Sequence, residues 1–281
     1  MRKRLLALLA AVVFSLAAGS AGAGIPVAVT IAPQAWFLER LGGDRLEVQV
    51  LVRPGQDPHT YQPTPAQMTR LARAQAYFCI GMPLEQALVP RLKGLNPGLR
   101  VVDTNRGIRL RHLTGPGHHH HLDPHTWLDP NLARVQAANI CAALQELDPP
   151  QRQTYARNQA VLEAELASLD RRIRGLLAPF RGRSILVFHP ALGYFARAYG
   201  LEQRAIQQEG KPPGPRRLAQ LLDLARRQGI KVVFVEPQFP RSRARALARS
   251  LGARVEVVDP LARDYAANLL ALARAIAGSF R

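Results

Sequence analysis

The chain has 281 residues, 47% of them apolar, and a formal net charge of +18; this composition excludes a disordered polypeptide. The charge raises the question of nucleic acid, yet the basic residues are nearly all arginine, with lysine only at 3, 93, 211 and 231, and no basic run is interleaved with aromatics. A solvated arginine-rich surface is the better reading, so no nucleic-acid partner is expected, while attraction to an anionic membrane surface stays open.

In chain order, Arg2, Lys3 and Arg4 precede an apolar run from Leu5 to Ala18 and the small residues Ala21-Gly22-Ala23. That is the layout of a cleavable signal peptide, and the run is shorter than the roughly 18 residues of a membrane-spanning helix. A leader over 1–23 and an exported protein starting near Gly24 are therefore expected. The leader takes three positive charges with it, leaving about +15 on 258 residues, enough chain for two lobes. Cys79 and Cys141 are the only cysteines. Export permits a disulfide, but either residue also suits a small buried apolar position.

From Val27 short β-rich runs alternate with helical stretches. Strands are predicted at Val27–Ile31, Leu46–Val52, Tyr77–Gly81 and Arg100–Asp103, with helices at Ala35–Leu41 and Pro65–Ala74. Asp129-Pro130 opens a further helix to about Leu147, with Asp129 as N-cap and Pro130 at the first helical position. Between Pro150 and Ala178, Tyr155, Leu162, Leu166, Leu169, Ile173 and Leu176 recur at helical spacing; such a helix reaches about 40 Å, a length suited to joining two lobes. The alternation then resumes: strands at Ser184–Phe188, Lys231–Glu236 and Val255–Val258, helices at Ala191–Tyr199, Pro215–Gln228, Arg241–Leu251 and the C-terminus. The predicted fold is α/β, with two parallel-sheet lobes at 24–148 and 183–281 joined by a single long helix at 149–182.

Four side chains stand out against that framework. His59 lies in Asp57-Pro58-His59-Thr60-Tyr61, beyond the strand ending at Val52, and His125 in Asp123-Pro124-His125-Thr126-Trp127. His189 directly follows the strand Ile185–Phe188, and Asp259 directly follows Val255–Val258. Open α/β sheets bind ligands beyond the carboxyl ends of their strands, and two of the four residues fall in each lobe, so one metal site in the interlobe cleft is expected. Proline fixes its own φ and restricts the residue before it, which limits the directions in which His59 and His125 can leave their loops. Imidazoles with a carboxylate suit tetrahedral zinc.

Several segments together give the chain a family likeness. They are Gly55-Gln56-Asp57-Pro58-His59-Thr60-Tyr61-Gln62-Pro63-Thr64-Pro65, Asp123-Pro124-His125-Thr126-Trp127-Leu128-Asp129-Pro130, His189-Pro190-Ala191-Leu192-Gly193-Tyr194-Phe195, Glu209-Gly210-Lys211 and Val258-Asp259-Pro260-Leu261. From about Val27 to Ile276 the chain resembles the zinc- and manganese-binding receptors of bacterial ABC transporters. The resemblance implies two lobes with a rigid helix between them and one ion held by His59, His125, His189 and Asp259. It implies a periplasmic, monomeric solute-binding protein that passes Zn2+ to a permease with its ATPase, touches the membrane only through that permease, and is not an enzyme. His189 favours zinc, since manganese receptors of this type tend to carry a carboxylate there. Two departures stand out: Gln62 occupies a position where many relatives have an acid, and no cysteine lies beyond residue 141 to form the second-lobe disulfide of some zinc receptors.

His118, His119, His120 and His121 sit between Gly115-Pro116-Gly117 and His125. Zinc receptors of this family often carry a histidine-rich loop at about this place, which makes these four an accessory zinc-gathering segment; a low-complexity loop without that role is the alternative. Trp36, Trp127, Tyr194 and Phe195 read as shielding or core residues, Glu236 as an acceptor behind the ligands, and Glu209 with Lys211 as an interlobe pair or a solvated loop. Competing readings are a zinc-dependent hydrolase, whose sign would be an open water position beside Glu236 or Glu209, and a manganese receptor or adhesin of the same fold. His-Glu-x-x-His does not occur in the chain.

Overall fold

The computed structural model describes residues 24–113, 122–207 and 213–281. The predicted leader, the His118–His121 segment and Glu209-Gly210-Lys211 lie outside them. The first lobe contains β1 (Ile25–Val29), α1 (Ala32–Gly42), β2 (Leu46–Val50), α2 (Pro65–Leu71), β3 (Ala76–Cys79), α3 (Pro83–Leu95), β4 (Arg100–Asp103) and α4 (Pro130–Leu147). After α5 (Arg152–Leu177) the second lobe follows with β5 (Ser184–Val187), α6 (Gly193–Ala198), β6 (Glu202–Ala205), α7 (Pro215–Gln228), β7 (Val232–Val235), α8 (Arg241–Ser250) and β8 (Arg254–Val257). The last helix is α9 (Tyr265–Ser279).

Both sheets are parallel and share one topology: β2-β1-β3-β4 in the first lobe and β6-β5-β7-β8 in the second. The strand order reverses between β1 and β3, and again between β5 and β7. A crevice opens at the carboxyl ends of strands at such a reversal. The central strands β1, β3, β5 and β7 are apolar on both faces because both faces are covered. Val27, Val29, Ala76 and Phe78 face one core cluster while Ala28 and Tyr77 face another. In the second lobe, Ile185, Val187, Val232 and Phe234 join the first cluster, and Leu186, Val233 and Val235 pack with Leu221, Ala225, Ala244 and Ala248 of α7 and α8.

The largest cluster is continuous through both lobes. Tyr155, Leu162, Leu166, Leu169, Ile173 and Leu177 run along α5 at helical spacing and are all buried in it. Leu176, assigned to this stripe from its spacing, is instead 37% exposed, and Leu177 takes the inward position. At 1.5 Å per residue the 26 residues of α5 span about 39 Å. Its polar face is tied to both lobes: Arg134 and Arg40 pair with Glu163 and Glu165 from the first-lobe side, while Tyr199 of the second donates to Asp170. α9 returns across the junction, setting the Tyr265 ring 5.3 Å from Trp36 and 4.9 Å from Phe37 of α1. Shared packing of this kind resists large hinge motion, because close-packed cores deform little.

Arginine is concentrated on the outside. In α8, Arg241, Arg245 and Arg249 are exposed at four-residue intervals while Ala244 and Ala248 face inward. Cys79 and Cys141 are both free thiols; burial pushes the pKa of each upward, so they behave as small apolar residues. Among the described residues no helix is long and apolar enough to cross a membrane.

Candidate metal site

His59, His125 and His189 meet in the cleft. One ring nitrogen from each lies within 4.8 Å of the others, and the ring centroids are separated by 5.5, 5.0 and 5.4 Å. Tetrahedral zinc with bonds of about 2.0–2.1 Å requires nitrogens about 3.3 Å apart, so modest side-chain adjustment closes this triad on an ion.

His59 and His125 are delivered by the same local device. Asp57 Oδ1 accepts the His59 backbone N–H at 2.9 Å, and Asp123 Oδ1 accepts that of His125 at 3.0 Å. The aspartate closes a turn over a proline whose φ is already fixed, so the following histidine emerges in a set direction. Asp259 repeats the arrangement, its Oδ1 accepting from Leu261 N at 2.9 Å across Pro260, as does Asp129 with Asn131 at 2.9 Å across Pro130. From sequence the prolines of the two histidine loops and the Asp129 cap are readable, while the turn-closing role of Asp57, Asp123 and Asp259 comes from the structure.

His125 is 3% exposed. Its Nδ1 meets Asp123 Oδ1 at 2.7 Å, which leaves Nε2 directed away from the carboxylate and raises its basicity as a ligand. The ring also lies against Trp127, centroids 5.3 Å apart. His59 Nε2 is buried with no hydrogen-bond partner among the described residues. Burial, reinforced by His125 nearby, lowers the His59 pKa to about 4, so its imidazole is neutral at pH 7, the form that binds metal. His189 follows β5 at the reversal of the second sheet, with its ring 5.2 Å from Phe239.

The carboxylate of Asp259 is not part of the group in which every ligand atom is within 4.8 Å of the rest. It is half-buried two residues beyond β8, and burial raises its pKa. Glu236, at the end of β7, is 2% exposed. It accepts a hydrogen bond from the His189 backbone, as the expected acceptor behind a ligand, and its Oε2 has no partner among the described residues. Burial, with Asp57 and Asp259 nearby, raises its pKa to about 8. Of the remaining predicted residues, Trp36, Trp127, Tyr194 and Phe195 are all buried.

The family description "Zinc-uptake complex component A periplasmic" matches residues 27–279, and the chain belongs to that family. It is a family of solute-binding components of uptake systems, not of enzymes. The high-affinity zinc uptake system protein ZnuA of Bacillus subtilis (strain 168) is 29% identical over 257 residues, covering 87% of this chain and 81% of that protein. A crystal structure of ZnuA superposes with a TM-score of 0.87 at 40% identity, over 92% of this chain and all of the other. A zinc-bound ZnuA lacking residues 138–173 of its own numbering gives 0.86 at 42% identity, over 91% of this chain and 98% of the other.

Proposed function

We infer that this protein is the extracytoplasmic receptor of a zinc uptake system. It captures one Zn2+ in the interlobe cleft through His59, His125 and His189, with Asp259 as fourth ligand, and delivers it to an ABC permease driven by its ATPase. The convergence of three imidazoles from three separate loops carries this reading. Three neutral nitrogens favour zinc over manganese, which prefers harder oxygen donors. The zinc-bound relative and the zinc-uptake family support the same metal.

Asp259 supplies the charge that three neutral histidines lack. Approach of the loop that follows β8 brings a carboxylate oxygen to the fourth position. The ion is cargo, so a shell closed by four protein ligands suits capture better than the open water position of a hydrolytic site. Because the ligands come from both lobes, zinc favours the arrangement in which the lobes are close, by its differential affinity for that state. His118–His121 then serve as an accessory zinc collector, and the leader at 1–23 carries the chain to the periplasm.

Competitive titration with a zinc chelator tests this. The protein without residues 118–121 binds one zinc tightly; alanine at 59, 125 or 189 weakens it by orders of magnitude, and Asp259→Ala by less. Tight binding that survives the histidine substitutions but disappears with the 118–121 deletion would rule the cleft out as the capture site.

A further inference from the structure

Asp123 faces His125 with Oδ1, and its Oδ2 lies 3.9 Å from Nε of Arg111. At that separation the second contact is electrostatic rather than a hydrogen bond. Both groups are sheltered, the Asp123 side chain 1% exposed and that of Arg111 19%. The same guanidinium donates from Nη1 to the carbonyl oxygen of Gly193, 82 residues away and only four beyond His189. One arginine thus joins the carboxylate that orients a first-lobe ligand to the backbone that follows a second-lobe ligand.

Tyr194 strengthens the join. Its hydroxyl accepts the Arg111 backbone N–H at 2.9 Å and donates to the Asp123 carbonyl at 3.2 Å, while the guanidinium carbon lies 5.6 Å from its ring centre. Arg111 and Asp123 are themselves paired, Asp123 N donating to Arg111 O at 2.8 Å, beside the antiparallel bridge between His112 and Leu122.

Gly193 has a steric reason to be glycine. Its φ of −63° and ψ of −42° are helical and open to any residue, so backbone freedom does not require it. A Cβ there would lie 2.9 Å from Arg111 Nη1, 3.0 Å from Asp123 Oδ2 and 3.2 Å from Arg111 Cζ. A methyl there pushes the guanidinium and the Asp123 carboxylate away from this turn by a few tenths of an ångström.

We propose that Arg111 is a positioning residue of the metal site: it clasps the two lobes beside the ion and thereby slows zinc release. This rests on the zinc-receptor reading above. The planar guanidinium places one N–H on the Gly193 carbonyl and its charge beside Asp123 in a single fixed arrangement, which an ammonium on a flexible stem does not reproduce. Loss of the guanidinium leaves the His125–Asp123 unit joined to the His189 segment only through the Tyr194 hydroxyl, so the rate of zinc loss rises while the ligand atoms stay the same.

Zinc dissociation into excess chelator is followed by stopped flow for wild type, Arg111→Ala, Arg111→Lys and Gly193→Ala, with His125→Ala as control. Arg111→Ala is expected to release zinc about tenfold faster, the lower end of effects seen when groups behind a ligand are removed. Arg111→Lys does not restore the wild-type rate, and Gly193→Ala reproduces the effect with Arg111 still present. The Co2+-loaded variants keep the visible spectrum of wild type, since no ligand has changed. In an Asp123→Asn background, Arg111→Ala adds little, because the arginine acts through that carboxylate.

Wild-type release rates in both Arg111→Ala and Gly193→Ala, alongside loss of tight binding in His125→Ala, overturn the clasp and leave the receptor reading standing. A full additional effect of Arg111→Ala in the Asp123→Asn background, or full rescue by lysine, also overturns it. Absence of a tight site in wild type, or tight binding retained by His125→Ala, removes the receptor reading and the clasp with it. Should Arg111→Ala fail to fold, Gly193→Ala and Arg111→Lys give the same reading.

Discussion

The indole Nε1 of Trp127 donates to the carbonyl oxygen of Pro260 at 2.9 Å, joining residues 133 positions apart. Trp127 is two residues beyond His125, and Pro260 immediately follows Asp259. One hydrogen bond therefore fixes the loop of a first-lobe histidine against the loop that carries the proposed fourth ligand. The Trp127 carbonyl is held in turn by the hydroxyl of Tyr265 at 2.7 Å. Trp127→Phe keeps an aromatic ring but leaves the Pro260 carbonyl without this donor and opens space in a fully buried position. A loss of about 1–3 kcal/mol is expected by chemical denaturation, with weaker zinc binding in a competitive titration. Unchanged affinity in the presence of reduced stability would separate the two roles.

Asp123 orients His125 through a 2.7 Å contact with Nδ1. Asp123→Asn retains the shape and removes the charge, so zinc affinity should fall about 10–100-fold. Isothermal titration in competition with a chelator measures the change; an affinity equal to wild type would mean that the carboxylate does not support the ligand.

His59 titrates unusually low because its ring is buried beside His125. The sequence alone suggests that zinc affinity declines as pH falls through about 6.5, the ordinary histidine value. With its folded-state pKa near 4, His59 offers little proton competition until pH falls well below that point. The sign for folding is equally definite: the unfolded histidine takes up a proton near 6.5 and the folded one near 4. The favourable contribution of the neutral ring is complete above about 6.5 and is lost as pH drops from there towards 4. NMR titration of the metal-free protein should place the His59 midpoint near 4; a midpoint near 6.5 would contradict the buried setting.

Glu236 carries the opposite dependence. Burial raises its folded pKa to about 8, against an ordinary glutamate value of about 4.3. The folded state therefore holds a proton that the unfolded state has released, and stability declines as pH rises from about 4.3 through 8. Glu236→Gln mimics the protonated acid. It should raise the melting temperature of the metal-free protein at pH 8.5 and change it little at pH 4.5, as scanning calorimetry would show.

Much of this fold is legible in the sequence because local chemistry marks its boundaries. α4 begins where Asp129 and Pro130 start it, with Asp129 capping the Asn131 N–H. α7 runs from Pro215 to Gln228 and ends at Gly229, whose φ of 63° suits glycine. The stripe on α5 is visible by spacing, although Leu176 and Leu177 compete for its last inward position. Two elements escaped that reading. β6 is the polar segment Glu202–Ala205 on a sheet edge, where burial imposes no apolar alternation. α3 contains Pro90 and Gly94, which read as interruptions, yet Leu88 and Leu92 anchor it in the core.

At the site, the three histidines were legible because each follows a strand or an Asp-Pro turn. Arg111 was not: its partners are the Asp123 carboxylate and the Gly193 carbonyl, and nothing local in the sequence around it signals a partner 82 residues away. The distance of Asp259 from the histidines was likewise beyond reach, since it depends on how closely the lobes pack rather than on any motif.

Anomalous diffraction at the zinc edge, on crystals of the protein lacking residues 118–121 and loaded with one equivalent of metal, addresses the central claim most directly. The expected result is a single peak in the cleft, about 2.0–2.1 Å from one nitrogen each of His59, His125 and His189, with an Asp259 oxygen completing the tetrahedron. A peak away from the three imidazoles, or none at full loading, would contradict it.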